Sequence, residues 1–319
     1  MKGNHTDDMT AIPVERFFTA QLADWPDAAA RYARMSQARL RRLSLRGEEF
    51  ELIHLPDRAV STCARTDTQS IASRPCFLCA SNRPAIQHRM PLGDSGLEIL
   101  VNPFPIYPRH LTLPSLHHEP QLYSRRLFEN MLIAARKLRG YTVFYNGPHS
   151  GASAPDHLHL QAVNAPLPQI HHGTTDDECR LLKTHGDTRL YFHPTLTTRP
   201  VTTSGSCIAD VADMMANTLS LLPVMESEAE PRLNLYATCI GNEVGLTAVL
   251  RNRHRPTAYG DDGVIFSPGA IDMGGRIVLP RESDFDTLTA DRLQSMMDEV
   301  LLPDETFNRF ILDCISHDL

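Results

Sequence analysis

A seven-residue stretch, HLHLQAV at residues 157–163, constrains the fold of this chain more than any other segment. Alternate residues of a β-strand point to the same face, so His157, His159 and Gln161 would lie together while Leu158 and Leu160 face the opposite, buried side. The pattern therefore predicts a strand with an apolar inner face and a polar face that carries three nitrogen-bearing side chains.

The loop directly before this strand has the composition of a phosphate-binding loop. Gly147 and Gly151 permit tight backbone, and Ser150 and Ser153 supply hydroxyl donors. A neutral imidazole is nucleophilic near pH 7, so a histidine of the strand could attack a phosphorus atom held by the loop, while the Gln161 amide donates to the phosphoryl oxygens. The combination predicts nucleotidyl or phosphoryl transfer through a phosphohistidine; the alternative is a strand with one polar face and no chemistry.

The rest of the chain predicts an α+β fold in several parts. Helical spacing from Val14 to Arg46, divided at Pro26, indicates an N-terminal helical extension over residues 1–50. Strand and helix periods alternate over 51–165, and residues 207–319 repeat the same order, which suggests duplication of one unit. Between them, residues 166–206 have little periodicity and predict a long loop or crossover insertion.

Composition excludes some classes of partner. The 31 basic and 38 acidic residues give a net charge of -7, which argues against nucleic-acid binding because that draws on a basic surface. We see no apolar run long enough to cross a bilayer and no secretory signal at the start, so we expect a cytoplasmic protein with no membrane contact.

The run GPHSGASAPDHLHLQ resembles the Gln-bearing branch of the histidine-triad superfamily, which contains galactose-1-phosphate uridylyltransferase, diadenosine tetraphosphate phosphorylases and GDP-hexose phosphorylases. The later run SPGAIDMGGRIVLPRESDF resembles the C-terminal part of plant GDP-galactose phosphorylases. Hydrolases of the superfamily carry His at the last triad position, so Gln161 implies a transferase or phosphorylase. The resemblance also implies that His159 is the nucleophile and that Asn146 contacts phosphate. Asp156 and Leu158 replace prolines of the uridylyltransferases, which favours the phosphorylases.

This resemblance implies a fold of two fused histidine-triad-like units, each an antiparallel sheet with helices packed on it, the second lacking the triad. It implies a nucleotidyltransferase that cleaves a GDP-hexose-like nucleotide sugar or a dinucleoside polyphosphate through a covalent nucleotidyl-histidine, with inorganic phosphate as acceptor. A homodimer is a further expectation. The alternatives are a hexose-1-phosphate uridylyltransferase and a non-catalytic nucleotide-binding zinc protein.

Cys76 and Cys79 form a Cys-x-x-Cys pair, which is half of a tetrahedral zinc site. The imidazoles available in the same unit are His110, His117, His118 and His157. The resemblance to the uridylyltransferases selects His110 and His157 as the other two ligands. Four protein ligands leave no open position, so the zinc would be structural. The alternative is a remnant pair that holds no metal.

The segment LRNRHRP offers cations for a negatively charged substrate. Arg251 and Arg253, with Arg255 beyond them, are alternate residues and would share one face if the preceding strand continued. That spacing suits a phosphate clamp, and the alternative is a solvated strand edge.

Overall fold

The computed structural model describes residues 11–59, 68–93, 95–170 and 179–317. Helices α1 (Ala11–Asp24) and α2 (Pro26–Ser36) open the chain, and Pro26 occupies the first turn of α2, where its missing N–H costs nothing. The helix predicted to reach Arg46 is wrong in its last part. Strands β1 (Leu40–Leu45) and β2 (Glu48–His54) form an antiparallel hairpin there, because Arg46 and Gly47 make a turn with positive φ.

The main body is a ten-stranded sheet in which all strand pairs are antiparallel. Its strands in chain order are β3 (Met90–Pro91), β4 (Glu98–Val101), β5 (His110–Pro114), β6 (Thr142–Asn146), β7 (His159–Val163), β8 (Arg180–His185), β9 (Thr188–Phe192), β10 (Val201–Gly205), β11 (Leu233–Ile240) and β12 (Glu243–Leu250). Their spatial order is β3-β4-β5-β7-β6-β11-β12-β10-β9-β8.

This sheet contains the same unit twice. In the first unit, β4 and β5 are followed by helix α4 (Arg125–Lys137), β6 and β7; in the second, β9 and β10 are followed by helix α5 (Ile208–Ser220), β11 and β12. The spatial orders, β4-β5-β7-β6 and β9-β10-β12-β11, match, and β6 pairs with β11 to join the units. The α+β fold of two fused units is thereby confirmed. Strand β12 takes the place of β7 and carries no His or Gln, as expected for a second unit without the triad.

The loop predicted over residues 166–206 is wrong over much of its length. Strands β8, β9 and β10 lie in this region and complete the second unit, while residues 171–178 are outside the described part. Strand β10 (VTTSG) is wholly buried although it is rich in Thr and Ser. The Thr202 and Thr203 hydroxyls find partners inside, as in the 2.9 Å contact between Thr202 Oγ1 and Thr247 Oγ1, whereas the Ser204 hydroxyl has none among the described residues. These buried hydroxyl residues leave no apolar alternation to mark the strand.

The C-terminal segment returns to the first half of the chain. Strand β13 (Arg276–Leu279) leaves the second unit and pairs in parallel with β2, which makes a separate three-stranded sheet with β1. The remaining helices are α3 (Thr68–Ala72), α6 (Ala270–Met273), α7 (Glu282–Thr287), α8 (Ala290–Val300) and α9 (Asp304–Ser316). In the described ranges, no helix is both long and apolar enough to cross a bilayer.

Candidate active site

His159 begins strand β7, and its ring is held in one orientation. The ring Nδ1 donates to the carbonyl oxygen of His157 at 2.9 Å, because a carbonyl can only accept. The side-chain amide of Gln121 fixes the backbone, accepting from His159 N at 2.8 Å and donating to His159 O at 3.0 Å. Burial lowers the pKa of His159 to about 4, so the ring is neutral near pH 7. Its Nε2 therefore carries a free lone pair.

His159 lines a cavity of about 630 Å³, a volume in the range of small-molecule sites. Gln161 and Ser153 lie in the same wall. The cationic and aromatic lining residues are Arg31, Arg58, Arg74, Trp25, Phe77 and Phe104. Among the described residues that form this wall there is no Asp or Glu. A cavity with three guanidinium groups, aromatic faces and no carboxylate suits a nucleotide.

Arg31, Arg58 and the aromatic residues of this wall were not among the residues predicted for a site. Trp25 lies between α1 and α2, and Arg31, on α2, lies over the ring of Phe104 at 4.5 Å. Arg74 lies over Phe77 at 4.9 Å and forms an ion pair with Asp156 at 3.3 Å, next to the triad strand. Tertiary packing alone brings these segments to His159, and no local sequence spacing predicts that they meet there.

The side-chain amide of Gln161 is oriented by His110. Nδ1 of His110 accepts from the backbone N–H of Ile106 at 3.3 Å, so Nε2 carries the proton and donates to Gln161 Oε1 at 2.9 Å. Asn102 Nδ2 lies 3.4 Å from the same oxygen. Burial lowers the pKa of His110 to about 3, which keeps the ring neutral. Because the amide oxygen is held on the protein side, the Gln161 NH₂ group is the part left for the cavity.

Four potential metal ligands converge beside the triad strand, and they are not quite the predicted set. The ligand atoms of Cys76, Cys79, His118 and His157 all lie within 4.8 Å of one another. His110 is not among them: it lies on β5 with both ring nitrogens engaged by Ile106 and Gln161. The predicted ligand His110 is thus replaced by His118, which follows β5 in the chain.

The donor set fits zinc. Sγ of Cys79 lies 3.3 Å from His118 Nδ1 and 3.5 Å from His157 Nδ1, and Sγ of Cys76 lies 3.3 Å from His157 Nδ1. Ordinary zinc–sulfur and zinc–nitrogen bonds at a tetrahedral angle separate the two ligand atoms by about 3.5 Å. Burial raises the pKa of the Cys76 thiol to about 11, so a thiolate there needs a compensating cation.

Some residues of the loop before β7 line a cavity, and others pack inside the protein. Gly151 and Ser153 line cavities together with Asn146, whose Oδ1 accepts from Ala270 N at 2.7 Å. Gly151 has φ +104°, and a Cβ there would stand 2.7 Å from the Cα of Gly269. Ser150 is fully buried, and its hydroxyl has no hydrogen-bond partner within the described residues.

Gly147 serves close packing rather than the cavity wall. Its N–H donates to Leu233 O at 3.2 Å, and a Cβ would meet Glu230 Oε1 at 2.9 Å. The structure thus brings three members of the predicted set, Asn146, Gly151 and Ser153, to the cavities.

The predicted pair of phosphate-binding arginines is not found. Strand β12 ends at Leu250, so Arg251 and Arg253 lie beyond the strand and do not share one of its faces as expected. Arg251 is 3% exposed, and its guanidinium is taken up by Asn234 Oδ1 at 2.7 Å and by backbone carbonyls, among them Val300 O at 3.2 Å. Arg253 forms an ion pair with Glu299 at 3.3 Å and lines neither cavity near the triad strand.

Comparisons with known proteins agree with this architecture. Residues 17–164 match a family model described as a domain of unknown function (DUF4922), and residues 201–318 match the model of the GDPGP1-like C-terminal domain. The crystal structure of yeast Ap4A phosphorylase Apa2 superposes with a TM-score of 0.59 at 16% identity, covering 87% of this chain and 97% of that one. Its complex with Ap4A gives a TM-score of 0.55 at 14% identity, with coverage of 87% and 97%. No curated protein sequence matches significantly.

These superpositions show that the chain shares its fold with yeast Ap4A phosphorylase Apa2. The match of residues 201–318 to the GDPGP1-like model and Gln161 at the last triad position agree with the resemblance to the Gln-bearing phosphorylases.

Proposed function

We propose that this protein is a nucleotidyltransferase of the phosphorylase type. Its substrate would be a GDP-hexose-like nucleotide sugar or a dinucleoside polyphosphate, and inorganic phosphate would accept the nucleotidyl group. The observation that carries this proposal is the placement of His159: a neutral ring, tied by Nδ1 to the His157 carbonyl, in the wall of a cavity of about 630 Å³ rich in arginine and aromatic side chains.

Two displacements at one phosphorus atom account for the reaction. In the first, the Nε2 lone pair of His159 attacks the α-phosphorus, the bond to the bridging oxygen breaks, and the sugar phosphate or nucleotide departs with its electron pair. In the second, a phosphate oxygen attacks the same phosphorus, the P–N bond breaks, and a nucleoside diphosphate forms. The Nδ1–H···O=C bond to His157 stabilises the positive charge that the ring acquires in between.

The neighbouring donors stabilise the charge on the phosphoryl oxygens in both steps. The Gln161 amide, oriented by His110, supplies N–H groups, and Arg58 and Arg74 supply positive charge from the same wall. Such preorganised donors are each worth on the order of 10²–10³ in rate where they contact developing charge.

A zinc ion held by Cys76, Cys79, His118 and His157 would be structural, since four protein ligands fill its coordination shell. Its effect would reach the nucleophile through the backbone, because the residue that offers Nδ1 to the metal also offers its carbonyl to the His159 ring.

The test is a panel of nucleotide sugars and dinucleoside polyphosphates, each incubated with phosphate and scored for release of a nucleoside diphosphate. We expect phosphate-dependent release from at least one member, abolished in His159→Ala and retained in His185→Ala, an exposed histidine on β8 that lines neither cavity. Full release by His159→Ala would contradict the proposal.

The same panel separates the alternatives. Turnover that requires a hexose 1-phosphate and fails with phosphate indicates a uridylyltransferase. Nucleotide binding without release of product indicates a binding protein without turnover.

A further inference from the structure

A second, smaller cavity lies beside the nucleophile's cavity. It encloses about 70 Å³, and Arg58, Ser153 and Gln161 line both cavities. The other side of the small cavity comes from the segment that follows β12, with His254, Arg255 and Ser267. Its size admits a small ion and excludes a nucleoside.

The side chains from the segment after β12 are fixed by one another. Nε of Arg255 donates to Ser267 Oγ at 2.8 Å, and this hydroxyl in turn lies 3.0 Å from His254 Nε2. The guanidinium of Arg255 lies over the ring of Tyr259 at 4.1 Å. These contacts at Nε and across one face fix the orientation of the Arg255 guanidinium.

The cavity is electrically positive. Burial, with the charges of Arg251 and Arg255, lowers the pKa of His254 to about 3, as expected for a ring among cations. One carboxylate, Asp272, also lines the wall, but its oxygens already accept from the backbone N–H groups of Val278 at 2.8 Å and Gly269 at 2.9 Å. Two arginines, Arg58 and Arg255, therefore face the cavity against one carboxylate that is already hydrogen-bonded.

We propose that this small cavity is the binding site for the acceptor, inorganic phosphate, with Arg255 and Ser267 as its specific contacts. The proposal rests on the proposed function, because it assigns the acceptor of that reaction. Since Gln161 and Ser153 belong to both cavities, a phosphate held here would stand next to the nucleotidyl group on His159. One of its oxygens would attack that phosphorus as the P–N bond breaks, and the electron pair would return to Nε2.

This assignment gives the segment after β12 a role although it lies outside the triad unit. The first unit would supply the nucleophile and the nucleotide cavity, and this segment would supply the specific contacts of the acceptor site. By microscopic reversibility, the phosphate that leaves the donor in the first displacement would occupy the same cavity.

Equilibrium dialysis with radiolabelled inorganic phosphate tests the site directly on the full chain. We expect Arg255→Met to bind phosphate roughly 10- to 100-fold more weakly, the loss of one hydrogen bond to a charged group. Ser267→Ala should show a weakening of about threefold or more and serves as a second variant if Arg255→Met fails to fold. Arg309→Met, on the exposed side of α9, is the matched control and should bind like the unmodified protein.

A single-turnover measurement separates this site from the chemistry. At saturating donor, Arg255→Met should still form the nucleotidyl-enzyme, while the phosphate concentration needed for half-maximal breakdown rises by the same factor as in dialysis. Unchanged phosphate binding in Arg255→Met and Ser267→Ala overturns the acceptor site and leaves the proposed function standing. Phosphate binding that depends on Arg255, in a protein that forms no nucleotidyl-enzyme, supports the site and overturns the proposed function.

Discussion

Replacement of His110 by phenylalanine tests whether this residue positions Gln161. The change removes the Nε2–H···Oε1 bond of 2.9 Å and leaves only the Asn102 amide, at 3.4 Å, to hold the Gln161 oxygen. A neutral hydrogen bond contributes roughly 0.5–1.5 kcal/mol, so misoriented amides should become populated and the rate of nucleotidyl-enzyme formation should fall about 3- to 10-fold. Gln161→Ala, which removes the donor itself, should cost about 10²–10³.

The assay is single-turnover formation of the nucleotidyl-enzyme, performed as a double-mutant cycle. If His110 acts through Gln161, His110→Phe should have little further effect in the Gln161→Ala background, and it should lower the rate while leaving nucleotide affinity unchanged. His54→Phe, outside both cavities, serves as the control for a histidine-to-phenylalanine change.

Two results would refute this reasoning. Rate effects of His110→Phe and Gln161→Ala that multiply would mean that the two residues act independently. Loss of bound metal in His110→Phe would return His110 to the ligand set and exclude its bond to Gln161. We also expect a stability loss of about 1–3 kcal/mol, because the Ile106 N–H would lose its acceptor, so the assay temperature must lie below the unfolding transition.

Three further predictions concern the metal and the buried charges. His118→Ala should abolish zinc binding, whereas His117→Ala, its neighbour outside the cluster, should keep it, as elemental analysis of the purified protein will show. Burial raises the pKa of Glu230 from 4.5 to about 7, so as pH rises the carboxyl ionises first in the unfolded state. The free energy of unfolding should therefore fall by about 3 kcal/mol between these two pH values. Glu230→Gln should flatten this part of the pH profile measured by urea unfolding. Arg251→Met should lower the unfolding free energy by about 1–3 kcal/mol for each buried acceptor left without a donor, Asn234 Oδ1 and Val300 O among them.

Each of these has a contrary outcome. Equal zinc content in the His118 and His117 variants would exclude the cluster as the metal site. A pH profile unaltered by Glu230→Gln would mean that this carboxyl is ionised in the folded protein at pH 5–7. A stable Arg251→Met protein would contradict a structural role for that arginine.

The elements that carry the triad could be predicted because their signals are local. The alternation in HLHLQAV predicts β7 without reference to any other part of the chain, and His159 and Gln161 share the cavity face as expected. The strand begins only at His159, and His157 lies in the Cys/His cluster instead. The helix period expected within residues 51–165 corresponds to α4, whose Ser124 cap accepts from Leu127 N at 3.1 Å.

What the sequence could not supply depends on contacts between distant segments. Cys-x-x-Cys spacing defines two ligands and leaves the other two to tertiary structure, so the choice of His110 over His118 had no local basis. The arginines after β12 have the same spacing in the sequence. Because the strand ends before them, Arg251 is buried in the interior and Arg255 lines a cavity.

The most direct test of the account is the mass of the intact protein after incubation with a donor nucleotide in the absence of phosphate. A nucleotidyl-histidine should appear as an increment of one nucleoside monophosphate less one water, located on His159 by peptide mapping at neutral or alkaline pH. It should be absent in His159→Ala and disappear when phosphate is added, with release of a nucleoside diphosphate. Turnover of the same donor by a protein that carries no such increment at any time point would contradict the central claim.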